Sequence, residues 1–173
     1  MEFNEYMIKR NKGAKEILLS VLLYFAATVV ALFLLIMFLG KAGGFGGILM
    51  LAVVGVYFGA FKLSSRMNKE FEYIITGDSL DIDVIMNATA RKRLVTFSVE
   101  ELEVLASVKD TAYNARLNEQ FDKTLDATSG RRDANVYFAV IDKNSKILLK
   151  FEPTYTMLTN LRKYSPSKIH IYD

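Results

Sequence analysis

Few side chains in this sequence have the type and spacing that catalysis requires. Cysteine is absent and His170 is the single histidine, so disulfides, thiolate metal sites and a cysteine nucleophile are excluded. A hydrolytic triad needs a histidine beside a nucleophile, whereas His170 lies in a short tail after the last predicted helix. We therefore expect His170 to be a surface or edge-strand side chain. We predict a protein that is not an enzyme and has no metal site or cofactor.

A pair of carboxylates, Asp81 and Asp83, lies on one face of a predicted strand. Such a pair could bind a cation or transfer a proton, but no glycine-rich calcium loop accompanies it. Alternating carboxylates are common on the solvated face of a strand, and we favour that interpretation. The glycines at 43, 44, 46 and 47 belong to a predicted membrane turn, so they do not form a phosphate-binding loop.

Two short basic clusters could contact anionic lipid headgroups. They are Arg91, Lys92 and Arg93, and Arg131 and Arg132. Each charge near an anionic membrane surface contributes about 1 kcal/mol, but a solvated hairpin end is the alternative that we favour for the first cluster. We expect no nucleic-acid partner, because the 22 basic and 19 acidic residues are mixed along the chain and do not form a concentrated basic face.

Two runs that are almost free of charge lie near the start of the sequence, at about 17–39 and 45–63. A helix rises about 1.5 Å per residue and the hydrocarbon core of a bilayer is about 30 Å thick. The first run is therefore long enough to span a membrane, and the second is at the lower limit. A signal peptide would have a shorter apolar region, and a buried soluble hairpin would show a polar stripe. We predict a transmembrane hairpin, with the lipid bilayer as one partner.

Positive charge on the flanks of the two runs predicts their orientation. Lys9, Arg10, Lys12 and Lys15 precede the first run, Lys62, Arg66 and Lys69 follow the second, and Lys41 alone lies in the turn. Because cytoplasmic flanks carry the excess of Lys and Arg, we predict a plasma-membrane protein with two spans and both termini in the cytoplasm. No Asp, Glu, Lys, Arg or His lies within 17–39 or 45–61, which argues against a transporter made by one chain.

Small residues recur at four-residue spacing in both runs. They are Ala27 and Ala31 in the first run and Gly55 and Gly59 in the second. This spacing lets helix backbones approach closely. We favour packing between the two helices of one chain, because the hairpin already supplies a neighbour. The alternative is a homodimer built on the Gly55/Gly59 face.

From Phe71 onward the hydrophobic period changes to two, which predicts β-strands. The predicted strands cover residues 71–76, 79–86, 91–97, 136–141 and 146–151. Turns at Gly77-Asp78 and at 142–145 join four of them into two hairpins. Residues 99–108 can be read as a helical turn that enters a strand, and the polar segment 109–134 as a short helix or an irregular loop.

A helix is predicted after Pro153, over residues 155–165. Either Thr154 or Thr156 can cap it, and Ser165-Pro166 ends it. Its apolar residues share one face: Met157, Leu158, Leu161 and Tyr164. Several antiparallel strands followed by one amphipathic helix predict an α+β fold, in which a strongly bent sheet or open barrel is capped by the C-terminal helix.

The order of these elements resembles the pleckstrin-homology-like (PH-like) domains of bacteria, which often sit beside a transmembrane hairpin. Two segments carry the resemblance: YIITGDSLDIDVIMNATARKR, from Tyr73 to Arg93, and FEPTYTMLTNLRKYSP, from Phe151 to Pro166. More narrowly, the chain resembles a family of small bacterial membrane proteins catalogued as a domain of unknown function. The resemblance implies a PH-like fold and a membrane location, but no reaction and no catalytic residues.

These observations divide the chain into two parts. Residues 1–69 would contain a cytoplasmic N-terminal segment and the hairpin, and residues 70–173 would form a cytoplasmic PH-like β domain. Our leading hypothesis is a non-enzymatic, membrane-anchored interaction or scaffolding module that binds another protein or itself. The alternative is recognition of an anionic lipid or small ligand by the β domain. An enzyme with an unfamiliar site ranks last.

Overall fold

The computed structural model describes residues 3–38 and 46–172. The chain forms two compact units. The helical unit is Lys12–Asn68, and the β unit combines Met1–Asn11 with Lys69–Asp173. The turn predicted between the two spans, which includes Lys41, lies outside the described residues.

The helical unit is a hairpin of α1 (Ala14–Phe38) and α2 (Gly46–Ser65). Mean hydropathy reaches 2.7 in α1 and 1.8 in α2. Most of their large apolar side chains are exposed, for example Ile36 at 72% and Leu51 at 73%, unlike those of a core helix in a soluble protein. Such a surface favours lipid over water. Both helices are therefore candidate membrane spans, and each extends beyond its predicted run toward the charged flank.

Two polar contacts join α1 to α2. The hydroxyl of Ser64 donates to that of Ser20 at 3.1 Å, and the hydroxyls of Thr28 and Tyr57 are also 3.1 Å apart. Ser20 and Thr28 each donate to a backbone carbonyl four residues earlier, at 2.9 Å, so Tyr57 is the donor to Thr28. These hydroxyls are thus satisfied within the helical unit, as a lipid environment requires.

The β unit contains two four-stranded sheets. Sheet A has the order β1-β2-β3-β4 and is antiparallel throughout. Its strands are β1 (Phe3–Lys9), β2 (Lys69–Thr76), β3 (Ser79–Met86) and β4 (Ala90–Ser98). Gly77 has a φ of 63°, which permits the predicted two-residue turn between β2 and β3.

Sheet B has the order β5-β7-β8-β6, and β6 runs parallel to β8. Its strands are β5 (Leu102–Ser107), β6 (Lys123–Asp126), β7 (Tyr137–Asp142) and β8 (Lys146–Phe151). A 3-10 turn at Val99–Glu101 leads into β5, as one interpretation of this segment predicted. The polar segment 109–134 contains a second 3-10 helix, Asn114–Asn118, and the strand β6, which its weak pattern did not predict.

The two sheets share one hydrophobic core with α3 (Tyr155–Tyr164). Thr154 caps α3, because its side chain accepts a hydrogen bond from the Met157 N–H at 3.3 Å. Met157, Leu158 and Leu161 are buried, whereas Tyr164 is exposed. The amphipathic face of α3 therefore seals the core, as predicted, but it ends one turn earlier than the sequence indicates.

Tyr73 is the buried polar link between sheet A and the segments that follow β6 and β8. Its hydroxyl donates to the Ala127 carbonyl at 2.6 Å and accepts from the Glu152 N–H at 3.2 Å. Burial raises the pKa of the Tyr73 phenol. The phenol therefore stays neutral and keeps both hydrogen bonds.

The strand β1 corrects the predicted division of the chain. Its register pairs Phe3 with Thr76 and Lys9 with Glu70, so residues 3–9 belong to the β unit and not to a separate N-terminal segment. The helical hairpin is an insertion between two paired strands. The sheets remain open and do not close into a barrel, which agrees with the predicted α+β arrangement of an open PH-like sheet and a C-terminal helix.

Candidate functional site

No strand in the described part of the chain pairs with the outer edge of β1, which is therefore an open edge of sheet A. The Arg10 N–H donates to the Lys69 carbonyl at 2.9 Å. Opposed residues of an antiparallel pair exchange such bonds at every second position, so the even-numbered residues of β1 bond to β2. The backbone groups that point away from the sheet are those of Phe3, Glu5, Met7 and Lys9.

Exposed side chains accompany this edge. Phe3, Tyr6 and Met7 are 65%, 39% and 49% exposed. Glu5 and Lys9 are exposed as well, and neither has an ion-pair partner among the residues that the structure describes. An edge strand with unpaired backbone groups is a template on which another strand can pair.

An ion-pair cluster occupies the face of sheet A that points away from the core, where β2, β3 and β4 meet. Asp83 is 3% exposed and Glu72 is 4% exposed. Arg91 lies 2.7 Å from Asp83, and Arg93 lies 2.7 Å from Asp81. Arg91 also pairs with Glu72, and Arg93 pairs with Asp83. Two arginines therefore form ion pairs with three carboxylates.

This cluster corrects the expectation that Asp83 lies on a solvated face. The pattern within one strand cannot show that arginines of the next strand cover its carboxylate. Desolvation lowers the pKa of Arg93, but the hydrogen bond with Asp83 and the charge of Asp81 outweigh it, so the net pKa is raised. Because carboxylates offset their charge, Arg91 and Arg93 offer little excess charge to a lipid headgroup.

Lys92 alternates with these arginines along β4 and lines a groove of about 360 Å³. We call it the cationic groove. Its apolar lining consists of Phe71, Val84, Met86 and Leu94. Its charged lining consists of Arg10, Lys69, Lys92, Arg93, Lys123 and Asp126. Arg10 pairs with Asp126 at 3.5 Å, whereas the three lysines have no ion-pair partner in the described part of the chain.

Comparison with known proteins identifies the family. A family model described as a bacterial PH-like domain (DUF6106) matches residues 2–171, a range that includes the helical hairpin and both sheets. The chain belongs to this bacterial PH-like domain family. Searches of curated proteins and of solved structures each found no match. The family description identifies a fold and names no ligand or reaction.

The second basic cluster of this PH-like protein is small and exposed. Arg131 pairs with Asp133 at 2.6 Å, and the hydrogen bond from Arg131 lowers the pKa of Asp133. Arg132 is exposed and has no ion-pair partner among the described residues. Arg131 lines a polar cavity of about 300 Å³ with Glu152. The two predicted basic clusters therefore line different cavities, and lipid contact by either one stays a prediction.

The small residues of the two helices have different surroundings in this PH-like protein. Ala27 and Ala31 are buried, and the i, i+7 spacing puts Ala27 on the face of α1 that carries Ser20, which bonds to α2. A Cβ added at Gly55 or Gly59 would have no atom within 4 Å. The predicted intrachain packing therefore does not hold for Gly55 and Gly59, and a homodimer on their face stays a prediction.

His170 docks the C-terminal tail onto the PH-like fold. Its ring stacks on Tyr113 with centroids 4.0 Å apart, and its Nδ1 lies 3.0 Å from the Tyr113 hydroxyl. Its backbone N–H donates to the Leu105 carbonyl at 2.8 Å. No group of three or more His, Asp or Glu that could hold a metal ion occurs among the described residues.

Proposed function

We propose that this protein is a non-enzymatic, membrane-anchored interaction module whose β unit binds a protein partner at the cytoplasmic face of the plasma membrane. The unpaired edge of β1 carries the proposal. Four residues of β1 present backbone donors and acceptors outward, and exposed side chains lie beside them. A partner strand that pairs there would extend sheet A, a mode of recognition in which the backbone supplies affinity and side chains supply specificity.

The pairing of strands on either side of the hairpin supports the placement of both of its flanks on the same side of the membrane. β1 and β2 pair directly, although both long helices separate them in sequence. Strands that pair must be on the same side of a membrane, so a spanning hairpin would return the chain to the side from which it left. The basic residues of both flanks favour the cytoplasmic side.

Photo-cross-linking in native membranes tests this proposal. Benzoylphenylalanine in place of Phe3, on the edge of β1, should form adducts with a protein partner. The same probe in place of Tyr172 is the matched control, because Tyr172 is also an exposed aromatic residue, at 50%, but lies in the C-terminal tail beside Tyr137 of β7. Equal adduct yields at the two positions, or no adduct at Phe3, would contradict the proposal.

Anionic-lipid recognition is a second candidate function, and the cationic groove favours it. Three lysines that form no ion pair with any described residue line the groove beside apolar side chains, a combination that suits an anionic headgroup and the start of its acyl chains. Arg10 lies four residues before α1, and Lys69 lies four residues after α2. Both residues are therefore close in sequence to the candidate spans.

Retention of lipid by the purified full-length protein tests this second candidate. Extraction in mild detergent should leave anionic phospholipid bound, as measured by mass spectrometry of the lipid extract. Replacement of Lys92 and Lys123 by Ala should release it. Replacement of Arg131 and Arg132 by Ala removes the same charge elsewhere and should have no effect. Equal retention by both double variants would argue against the groove, and loss in the arginine variant alone would favour the arginine turn.

A further inference from the structure

We propose that the partner at the β1 edge is a second copy of this chain, and that the two β1 strands pair antiparallel around a twofold axis at Met7. This inference rests on the proposed function, because it names the partner of the same edge. The arrangement would join two four-stranded sheets into one continuous sheet of eight strands.

The backbone restricts the registers that such a pair can adopt. The outward groups belong to odd-numbered residues of β1 only. In an antiparallel pair, residues that face each other exchange hydrogen bonds, so odd-numbered residues must lie opposite odd-numbered residues of the other copy. The twofold axis must then lie between the two copies of one residue, and not between two neighbouring residues of β1. The choice of that residue determines which side chains of the two copies lie opposite each other.

Charge selects among these registers. An axis at Glu5 or at Lys9 places two like charges opposite each other, which is destabilising. An axis at Tyr6 or at Ile8 leaves Lys9 opposite an apolar side chain, Phe3 or Met7. An axis at Met7 places each Glu5 opposite Lys9 of the other copy, so both charges are paired. The sequence of β1 is therefore complementary to its own reverse in this register.

The state of these side chains in the single chain favours a second copy as the partner. Glu5 and Lys9 are exposed and form no ion pair among the described residues, so contact between copies would break no existing bridge. On the opposite face, the same register brings Tyr6 across from Ile8 of the other copy, an aromatic and β-branched pair. Such self-complementarity is what an isologous interface requires.

The absence of cysteine permits a direct cross-linking test on the full-length protein in lipid vesicles. In the Met7→Cys variant the two Cα atoms would lie about 5.5 Å apart, a distance that a disulfide can span. Phe3→Cys is the matched control on the same edge, because its two copies would lie eight residues, or about 27 Å, apart. Mild oxidation should give a covalent dimer of Met7→Cys and little of Phe3→Cys. No dimer of Met7→Cys, or equal yields, would overturn the proposal.

Charge exchange tests the register without relying on one variant. In the Met7→Cys background, Glu5→Lys opposes like charges between copies, as does Lys9→Glu, and either should lower the dimer yield about fivefold. Every variant with Lys9→Glu also carries Glu70→Lys, because Lys9 lies opposite Glu70 of its own chain. The two changes together restore opposite charges and should restore the yield. A combined variant as poor as the single variants would overturn the register. Photo-adducts of Phe3 with a different protein, without a Met7→Cys dimer, would overturn self-pairing and leave the proposed function standing.

Discussion

Asp83 is the residue on which the polar side of sheet A depends most. It is buried and pairs with both Arg91 and Arg93. A buried carboxylate is stable only when its charge is paired and hydrogen-bonded. The side chains of the two arginines are about half exposed, at 51% and 47%, so water can solvate them when a partner is lost. Most of the cluster's contribution to stability therefore depends on its buried carboxylates.

Substitution of single aspartates tests this distribution of energy. We expect Asp83→Asn to lower the free energy of unfolding by about 1–3 kcal/mol, because a buried charge-assisted hydrogen-bond network is lost. Asp81→Asn is the matched control at a more exposed site, at 27%, and should cost about 0–1 kcal/mol. Urea unfolding in detergent micelles, followed by tyrosine fluorescence, measures both. Equal losses would contradict the role assigned to burial.

Two glutamates predict a loss of stability in acid. Hydrogen bonds from Lys143 and from Lys146 lower the pKa values of Glu101 and Glu119. The ordinary pKa of these groups is 4.5, so below that pH the unfolded state binds more protons than the folded state. The free energy of unfolding therefore decreases as the pH is lowered. Glu101→Gln combined with Glu119→Gln should flatten this acid limb between about pH 5 and pH 3. An acid limb as steep as in the wild type would contradict the shifts.

At the residue scale, the sequence predicts which face a side chain occupies better than what covers it. The alternation in β3 correctly assigns Leu80 and Ile82 to the core, where both are fully buried. It cannot show that Asp83 is covered, because its arginine partners come from another strand. The same limit applies to Lys92, whose place in the cationic groove depends on Arg10 and on residues of β2, β3 and β6.

At the scale of elements, β1 shows why a strand can escape sequence analysis. The side chains of Tyr6 and Ile8 lie on the core face of sheet A, but Phe3 and Met7 on the opposite face are also apolar, so β1 lacks the alternation that marks a half-buried strand. Its partner strand lies beyond both long helices in the sequence. By contrast, the β2–β3 and β7–β8 hairpins have short turns with strong local signals, and the structure contains both where they were predicted.

Proline at adjacent positions of β1 tests the direction of its hydrogen bonds. Proline lacks an N–H. Met7→Pro should remove an outward donor and leave sheet A intact, as proline is tolerated where the N–H of an edge strand faces solvent. Tyr6→Pro should remove a bond to β2 and lower the free energy of unfolding by about 1–3 kcal/mol. Because the Tyr6 ring also contacts the Tyr73 ring, the loss measured for Tyr6→Ala is subtracted before the two proline variants are compared by thermal unfolding in detergent. Equal losses would contradict the assigned edge.

A shortened chain tests whether β1 completes the β unit. Arg10 and Lys69 form a hydrogen-bonded pair, a geometry that a two-residue turn can close. A chain in which a single glycine replaces residues 12–68 would join them through an Asn11-Gly turn. We expect it to be soluble, with cooperative thermal unfolding by circular dichroism. A chain of residues 69–173 alone should aggregate, because β2 becomes an uncovered edge. Cooperative unfolding of the chain of residues 69–173, which lacks β1, would contradict the role of β1.

At the scale of the whole molecule, the sequence reveals the long helices because their signal is local. A run of apolar residues identifies a candidate span without knowledge of its neighbours, and α1 and α2 occur close to the predicted limits. The order of strands and the final helix is also local enough to predict a PH-like fold. The insertion of the hairpin between two paired strands depends on long-range pairing, so it could not be predicted from these patterns.

Single cysteines in this cysteine-free chain can locate both flanks of the hairpin relative to the membrane. Phe3→Cys and Tyr155→Cys place thiols at exposed positions of the β unit, and Lys41→Cys places one in the predicted turn. In intact spheroplasts, a membrane-impermeant maleimide should label only the Lys41→Cys variant, and permeabilisation should expose all three. Labelling of Phe3→Cys and Tyr155→Cys from opposite sides, or of both in intact spheroplasts, would contradict a β unit that is assembled from both flanks on the cytoplasmic side.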